Sequence, residues 1–199
     1  MSPSPLRALR RAQIIAAARR IVAERGLEAM TIGAIEDALD FSRGVITYHF
    51  KNKDEIIIAV LDSAIAEIDA ATDLMVRASL TPQQKVEAVL RANVQGFVAH
   101  TDAGRILLSF WGRLSAHPGI EAVNVQLFRR YRAQSVCLIR EGQALGVFAD
   151  ADADAVAALI VGIVIGLATQ ALIDPAAIDP EPAIRAGAAA VNALLSTPR

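Results

Sequence analysis

Apolar residues recur at spacings of three and four through nearly the whole chain, and no stretch alternates in the manner of a half-buried strand. That periodicity restricts the fold to packed helices. From Pro5 to Arg25 it sets Ile14, Ala17, Ala18, Ile21 and Val22 on one side and arginines on the other, with Gly26 as a C-terminal stop. Thr31 is placed to cap a short helix that carries Ile32, Ile35 and Leu39 inward. Asp40 and Phe41 make a brief turn, and Ser42 caps a third helix that runs to about Phe50. Asn52 followed by Glu55 gives a capping-box start to a fourth helix, which runs to about Arg77.

Thr81-Pro82-Gln83-Gln84 combines an N-cap, a proline at the first helical position and a glutamine at the third, a strong start signal. The helix it opens carries Val86, Val89, Leu90, Val94, Phe97 and Val98. A segment from about Ala103 to Ser115 follows, then a long helix from Pro118 to Leu145 closed by Gly146. Asp154 is placed to cap an apolar helix over 155–173, and after a proline-broken loop a last helix spans 180–196. The expected fold is all-α with about nine helices, divided into a head at 1–52 and a body at 53–199 that starts with the shared fourth helix.

The stretch from Ala155 to Ile173 holds no charge over about the length that spans a bilayer, and it contains Gly162-x-x-x-Gly166. Asp150, Asp152 and Asp154 precede it and no basic or aromatic anchors flank it, so it reads as a helix buried in a bundle or at a dimer seam rather than a membrane span. Cys137 is the only cysteine, which rules out an intrachain disulfide, and Arg19 and Arg20 interrupt any leader-like apolar run. A cytoplasmic location with no membrane association is the expectation. The net charge of -1 conceals an asymmetry. Residues 1–53 carry nine Lys or Arg against five Asp or Glu, whereas residues 54–199 carry eleven against sixteen.

That basic end contains two short helices joined by a tight turn, 32–39 and 42–50, with a supporting helix before them, the parts of a helix-turn-helix. In the second, Ile46 and Phe50 lie one turn apart and pin it to a core, while Gly44 and Tyr48 stand on the opposite side with Val45 and Thr47 on the flanks. A glycine on a face that met only water would weaken the helix by about 1 kcal/mol without return. It makes sense where a backbone or base edge comes close. Arg43 can reach base edges, and Thr31, Ser42, Thr47, Tyr48 and His49 can donate to phosphate oxygens. Lys53 and the amides that open the fourth helix make a further phosphate site. The competing reading is a solvated amphipathic helix with incidental charges.

"MTIGAIEDALDFSRGVITYHFKNKDEIIIAVL", preceded by "RRAQIIAAARRIVAERG", resembles the DNA-binding domain of the tetracycline-repressor (TetR) family, over about residues 10–61 and on a Ser-x-Gly-x-x-x-x-His-Phe-x-x-Lys frame. The resemblance implies a recognition helix at 42–50, an all-helical C-terminal domain that binds a small effector, and a homodimer. The chain departs from the family pattern at three places. The usual phosphate-contacting tyrosine position is Thr47, with Tyr48 one place later; the turn is Asp40-Phe41 rather than glycine and a small aliphatic residue; and Glu36 and Asp37 make the second helix acidic. "EGQALGVFADADADAVAALIVGIVIGLATQALIDP" is similar, more loosely, to the C-terminal type of the choline-sensing subgroup.

The function expected is a sequence-specific DNA-binding regulator, a repressor released from a pseudo-palindromic operator in double-stranded DNA by a small-molecule effector. The alternative is a dimeric small-molecule-binding protein with a vestigial head. Asn93, Phe97, Phe110, Trp111, Phe128, Tyr131 and Gln170 are the candidate pocket residues, set against ordinary core or dimer packing. The Ala- and Gly-rich helices 155–173 and 180–196 are the expected dimer seam, and one recognition helix covers too few base pairs to act without a twofold mate. Effector binding would shift the dimer to a form whose heads no longer match successive grooves, through the fourth helix. No catalytic residue, cofactor or metal is expected. Asp150, Asp152 and Asp154 begin like a calcium loop, but Ala155 and Val161 stand where its glycine and glutamate belong. His100 and His117 lack partners at ligand spacing, and Ser109, Ser115 and Cys137 lack a nucleophile's setting.

Overall fold

A computed structural model describes residues 5–76, 81–112, 118–176 and 178–196, with the side chains of 71–76 excepted. Among them lie nine α-helices and no strand: α1 Pro5–Arg25, α2 Ile32–Leu39, α3 Arg43–His49, α4 Lys53–Val76, α5 Pro82–Ala99, α6 Thr101–Trp111, α7 Pro118–Ala144, α8 Ala153–Ile173 and α9 Pro180–Leu194. A 3-10 turn at Leu27–Ala29 separates α1 from α2. Arg77, Ser115 and His117 lie outside the described residues, so neither the expected end of the fourth helix at Arg77 nor that of the following segment at Ser115 is covered. The chain forms two compact units, Met1–Glu67 with Asp102–Val123, and Ile68–Thr101 with Asn124–Arg199. Both α4 and α7 begin in the first unit and end in the second.

In the first unit α1 buries Ile14, Ala17, Ala18, Ile21 and Val22, the stripe its periodicity predicts. The helix packs on α2 and α3, whose Ile35 and Ile46 are fully buried, with Phe50 closing the end. Ile32 and Leu39 are only partly covered, because an eight-residue helix has room for one central anchor on its narrow inner face. Arg19 donates to Ser63 Oγ at 3.0 Å and pairs with Glu67, fastening α1 along α4. Gly119 in α7 lies against the end of the Ile58 side chain of α4.

In the second unit α5, α8 and α9 pack on one another around Val86, Leu90, Val94, Val156, Ile160, Val164, Ile184, Ala188 and Val191. The predicted capping box starts α5: Thr81 Oγ1 accepts from the Gln84 amide at 3.3 Å and Gln84 Oε1 from the Thr81 amide at 2.9 Å. Val98, near the end of α5, is exposed. With neighbours on two sides, α5 buries the opposite pair Ala92 and Gly96 instead.

Asp152 rather than Asp154 caps α8, its Oδ1 accepting from the Asp154 amide at 3.0 Å and the Ala155 amide at 3.1 Å. That register seats Ala153, Val156 and Ala157 in the core and leaves Asp154 outside, 3.6 Å from Arg140. By length and composition α8 is long and apolar enough to cross a membrane; here its inner residues pack on α5 and α9. Between α7 and α8, Gly146 takes φ 68°, and the amides of Gly146 and Val147 bond back to Gln143 and Gly142. This is a Schellman closure, and it lays the Phe148 ring directly over Gly142.

Candidate nucleic-acid interface

The α2–α3 turn is set by side chains acting on their own backbone. Thr31 Oγ1 accepts from the Ala34 amide at 3.0 Å, capping α2 and keeping its hydroxyl hydrogen to donate. Asp40 adopts φ 53°, in the left-handed region, with its amide bonded to the Glu36 carbonyl. Ser42 stands at the N-cap position of α3, but its hydroxyl makes no cap bond. Its carbonyl instead accepts from the Val45 amide at 2.9 Å.

These restraints hold α3 with Ile46 inward and a polar face outward. Ser42, Arg43, Gly44, Thr47 and Tyr48 are exposed, and Val45 and His49 are half-buried on the flanks. Tyr48 stands out furthest, at 68% exposure. Thr47 turns its hydroxyl back, donating to the Arg43 carbonyl at 3.0 Å. A hydroxyl has one hydrogen, so in this geometry Thr47 can offer an outside partner only lone pairs. His49 meets the Tyr48 ring edge-on, with centroids 5.1 Å apart. Its Nδ1 is enclosed and has no hydrogen-bonding partner among the described residues. Burial, and then Arg7, Arg11 and Arg10, holds the imidazole below its ordinary pKa, so the neutral ring is favoured.

At the start of α4, Asn52 Oδ1 accepts from the Glu55 amide at 2.9 Å, as the predicted cap requires. The reciprocal bond slips by one residue: Glu55 Oε2 accepts from the Lys51 amide at 2.8 Å rather than from that of Asn52. Lys53, the first residue of α4, is half-buried beside this cap.

Sequence reasoning missed the part that α1 plays. Arg7, Arg10 and Arg11 share one face of α1 at spacings of three and four. Their guanidinium carbons lie 5.4 Å from the Tyr48 ring centroid, 4.6 Å from that of Phe41 and 4.8 Å from that of Phe50. Phe41 in the turn, Tyr48 in α3 and Phe50 just after it thus each have a cation from α1 over the ring. The only trace in the sequence is that three arginines fall on one face of α1 and three aromatics cluster at 41–50.

The candidate pocket residues divide between the two units. Phe110 and Trp111 belong to the first unit, Phe110 fully buried and Trp111 partly. Asn93, Phe97, Phe128, Tyr131 and Gln170 belong to the second. Phe97 is buried there, and Asn93, Phe128 and Tyr131 are half-buried. Gln170 is exposed and donates to its own helix at the Gly166 carbonyl; Asn93 likewise donates to that of Val89. The Tyr131 hydroxyl donates to Asp69 Oδ1 at 3.0 Å, while Arg130 holds Asp69 Oδ2 at 2.5 Å. Burial, then the Asp69 charge, pushes the phenol pKa well up.

Residues 14–60 match the family model of the bacterial regulatory proteins of the tetR family, and residues 82–196 match that of the BetI-type transcriptional repressor C-terminal domain. The HTH-type transcriptional regulator BetI of Burkholderia cenocepacia is 26% identical over 159 residues, covering 79% of this chain and 81% of that protein. A TetR transcription regulator from Haloarcula marismortui superimposes with a TM-score of 0.82 at 22% identity, over 95% of this chain and 100% of that one. A regulator from Saccharomonospora viridis, solved in complex with choline, superimposes with a TM-score of 0.78 at 22% identity, over 90% of this chain and 94% of that one. With the head and the body each matched in sequence order, the chain belongs to the TetR family of ligand-responsive bacterial transcriptional regulators, and its C-terminal domain is of the BetI type.

Proposed function

We propose that this repressor reads its operator with the outward face of α3, as a twofold dimer joined through α8 and α9. The observation that carries the reading is Gly44. A Cβ built there would meet only Ser42 Oγ, at 3.9 Å, so nothing inside the head requires a glycine in that helix. The reason for it lies outside the protomer, where a base edge or the sugar-phosphate backbone comes close. Arg43 then addresses base edges, with Val45 as an apolar flank. Thr31, Ser42 and Tyr48 donate to phosphates, and Lys53 holds a further phosphate at the start of α4. Tyr48 takes the contact that the sequence left open between it and Thr47, because the Thr47 hydroxyl is committed to the Arg43 carbonyl. His49 backs the Tyr48 ring rather than donating outward.

The same logic supports the seam. Ala155, Ala158, Leu159, Gly162 and Ile173 of α8 are exposed, as are Ala186, Ala189, Ala190, Ala193 and Leu194 of α9. A Cβ on Gly162 or Gly166 would meet nothing within 4 Å, which leaves room for a second backbone. The effector is assigned to the BetI-type domain, where Phe97, Phe128 and Tyr131 offer aromatic faces and Asn93 an amide. The choline bound by the Saccharomonospora viridis neighbour makes small quaternary ammonium compounds the first class to try. No catalytic step is assigned to the chain; the Ser109 hydroxyl, for one, donates to the Arg105 carbonyl. A cytoplasmic location follows from the work on DNA.

Fluorescence anisotropy against DNA flanking the protein's own gene tests the reading. The double variant Tyr48→Ala, Lys53→Ala should lose operator binding and sediment as a dimer. Loss of both properties would overturn the division between head and seam. A wild type whose affinity ignores salt and sequence would bring forward the small-molecule carrier with a vestigial head.

A further inference from the structure

We propose that Arg7, Arg10 and Arg11 of α1 form a second row of phosphate contacts, stacked on Tyr48, Phe41 and Phe50, that grips the DNA backbone beside the groove entered by α3. This rests on the DNA-binding reading above and extends its interface to a helix outside the helix-turn-helix. The row is anchored to that interface by distance: Arg7 lies over Tyr48, the most exposed aromatic ring of α3, and the other two cover the rings on either side of that helix. Arg7 and Arg11 are exposed and Arg10 is half-buried, donating to Gln13 Oε1 at 3.3 Å. Contact with a ring restrains a guanidinium without consuming its five N–H donors, so little side-chain freedom remains to be lost when a phosphate arrives.

The electrostatics agree with the placement. All three arginines act on the same imidazole, His49 at the end of α3, whose pKa falls through burial and then through their charge. Positive potential therefore converges on the outer end of the recognition helix. From residue 7 to residue 11 α1 rises by about 6 Å, a span that matches two or three successive phosphates of one strand. Arg11 also faces Asp62, whose carboxyl is raised by burial and drawn down by that arginine. That carboxylate competes with a phosphate for Arg11.

Salt dependence separates phosphate contact from mere support of the fold. Each phosphate neutralised adds about 0.9 to the steepness of log K against log salt, whereas a residue that only steadies α3 changes K at constant slope. The probes are duplex fragments flanking the protein's own gene and a scrambled duplex, between about 50 and 200 mM salt. The triple variant Arg7→Gln, Arg10→Gln, Arg11→Gln should flatten the slope by about 2 to 3, and the triple change to lysine should restore most of it. An unchanged slope in the glutamine variant, whatever its affinity, would overturn the second row. A wild type with no salt-dependent binding would overturn the DNA-binding reading itself. Should circular dichroism show the triple variant unfolded, Arg7→Gln alone is scored: a slope flatter by about 0.9 is expected, and no change refutes the proposal.

Discussion

Replacing Gly44 with alanine should make the protein more stable and a worse DNA binder. In a helix alanine is favoured over glycine by about 0.8–1 kcal/mol, and near the first turn of a seven-residue helix about half to all of that should be realised. Nothing opposes the gain, since the new methyl would find only Ser42 Oγ at 3.9 Å, an ordinary van der Waals contact. For a chain of this size the shift in Tm should be about +1 to +4 °C. Against DNA the same methyl enters a space that a base edge or backbone is meant to fill, and overpacking a close contact costs about 1–3 kcal/mol, roughly 5- to 150-fold in Kd. Calorimetric melting and anisotropy on one preparation give both numbers. Higher stability with unchanged affinity would mean that the outer face of α3 does not close on DNA; lower stability would mean that the head needs the glycine for itself.

Gly142→Ala should act in the opposite direction on stability. Its Cβ would fall 2.1 Å from Cδ2 of the buried Phe148 ring, and expelling the ring outweighs the helix gain by about 2–4 kcal/mol, so the melting temperature should drop; a rise would refute the packing argument. Gly119→Ala is the contrast, because the atom met at 2.9 Å is the mobile end of Ile58, and its effect on the melt should stay within about 1 kcal/mol. His49 has a folded pKa below the ordinary 6.5, so its contribution to stability is complete above about pH 6.5 and is lost as pH falls toward the folded value. The melting difference between pH 7.5 and pH 5.5 should therefore shrink in His49→Gln, and an equal difference would exclude His49 as its source. Gly162→Leu should convert the dimer to monomer in sedimentation while leaving helix content intact, and a stable dimer would place the seam elsewhere.

What could be read from the sequence was chemistry that acts within a few residues. The capping box at Thr81 and Gln84 and the closure at Gly146 are each a side chain or a glycine serving its own backbone, and a short window contains all the participants. Where several residues could do one local task, the sequence was mute. Three aspartates at alternate positions can each cap α8, and the choice of Asp152 was made by which register buries Ala153 and Ala157 against α5 and α9. The buried face of α5 is equally hard to read, because a helix covered on two sides has no single inner stripe to extrapolate. The arginine row was invisible because its partners are some thirty to forty residues away, at 41, 48 and 50, and only the packing of α1 on α3 brings them together. In the candidate site, the orientation of α3 followed from Ile46 and Phe50, whereas the commitment of the Thr47 hydroxyl and the enclosure of His49 needed coordinates.

The glycines divide by where their reason lies. Gly142 and Gly119 sit under side chains of their own chain, so the space they leave is filled and their weak helix propensity is offset from within. Gly44, Gly162 and Gly166 leave space that nothing in the protomer fills, at a combined cost of about 2–3 kcal/mol in helix stability, a large share of the 5–15 kcal/mol that holds a typical domain together. Such a loss makes sense only if contacts from outside offset it, and the pattern differs between the two helices. Gly162 and Gly166 stand one turn apart on a helix that carries no charge after Asp154 in its first turn, the spacing that lets one helix backbone lie along another. Gly44 stands alone between Arg43 and Tyr48 on a short polar helix, the setting for a single close approach flanked by charge and hydrogen bonds. On the proposed reading one gap receives a second copy of the chain and the other nucleic acid, so substitutions that fill them should fail in different assays.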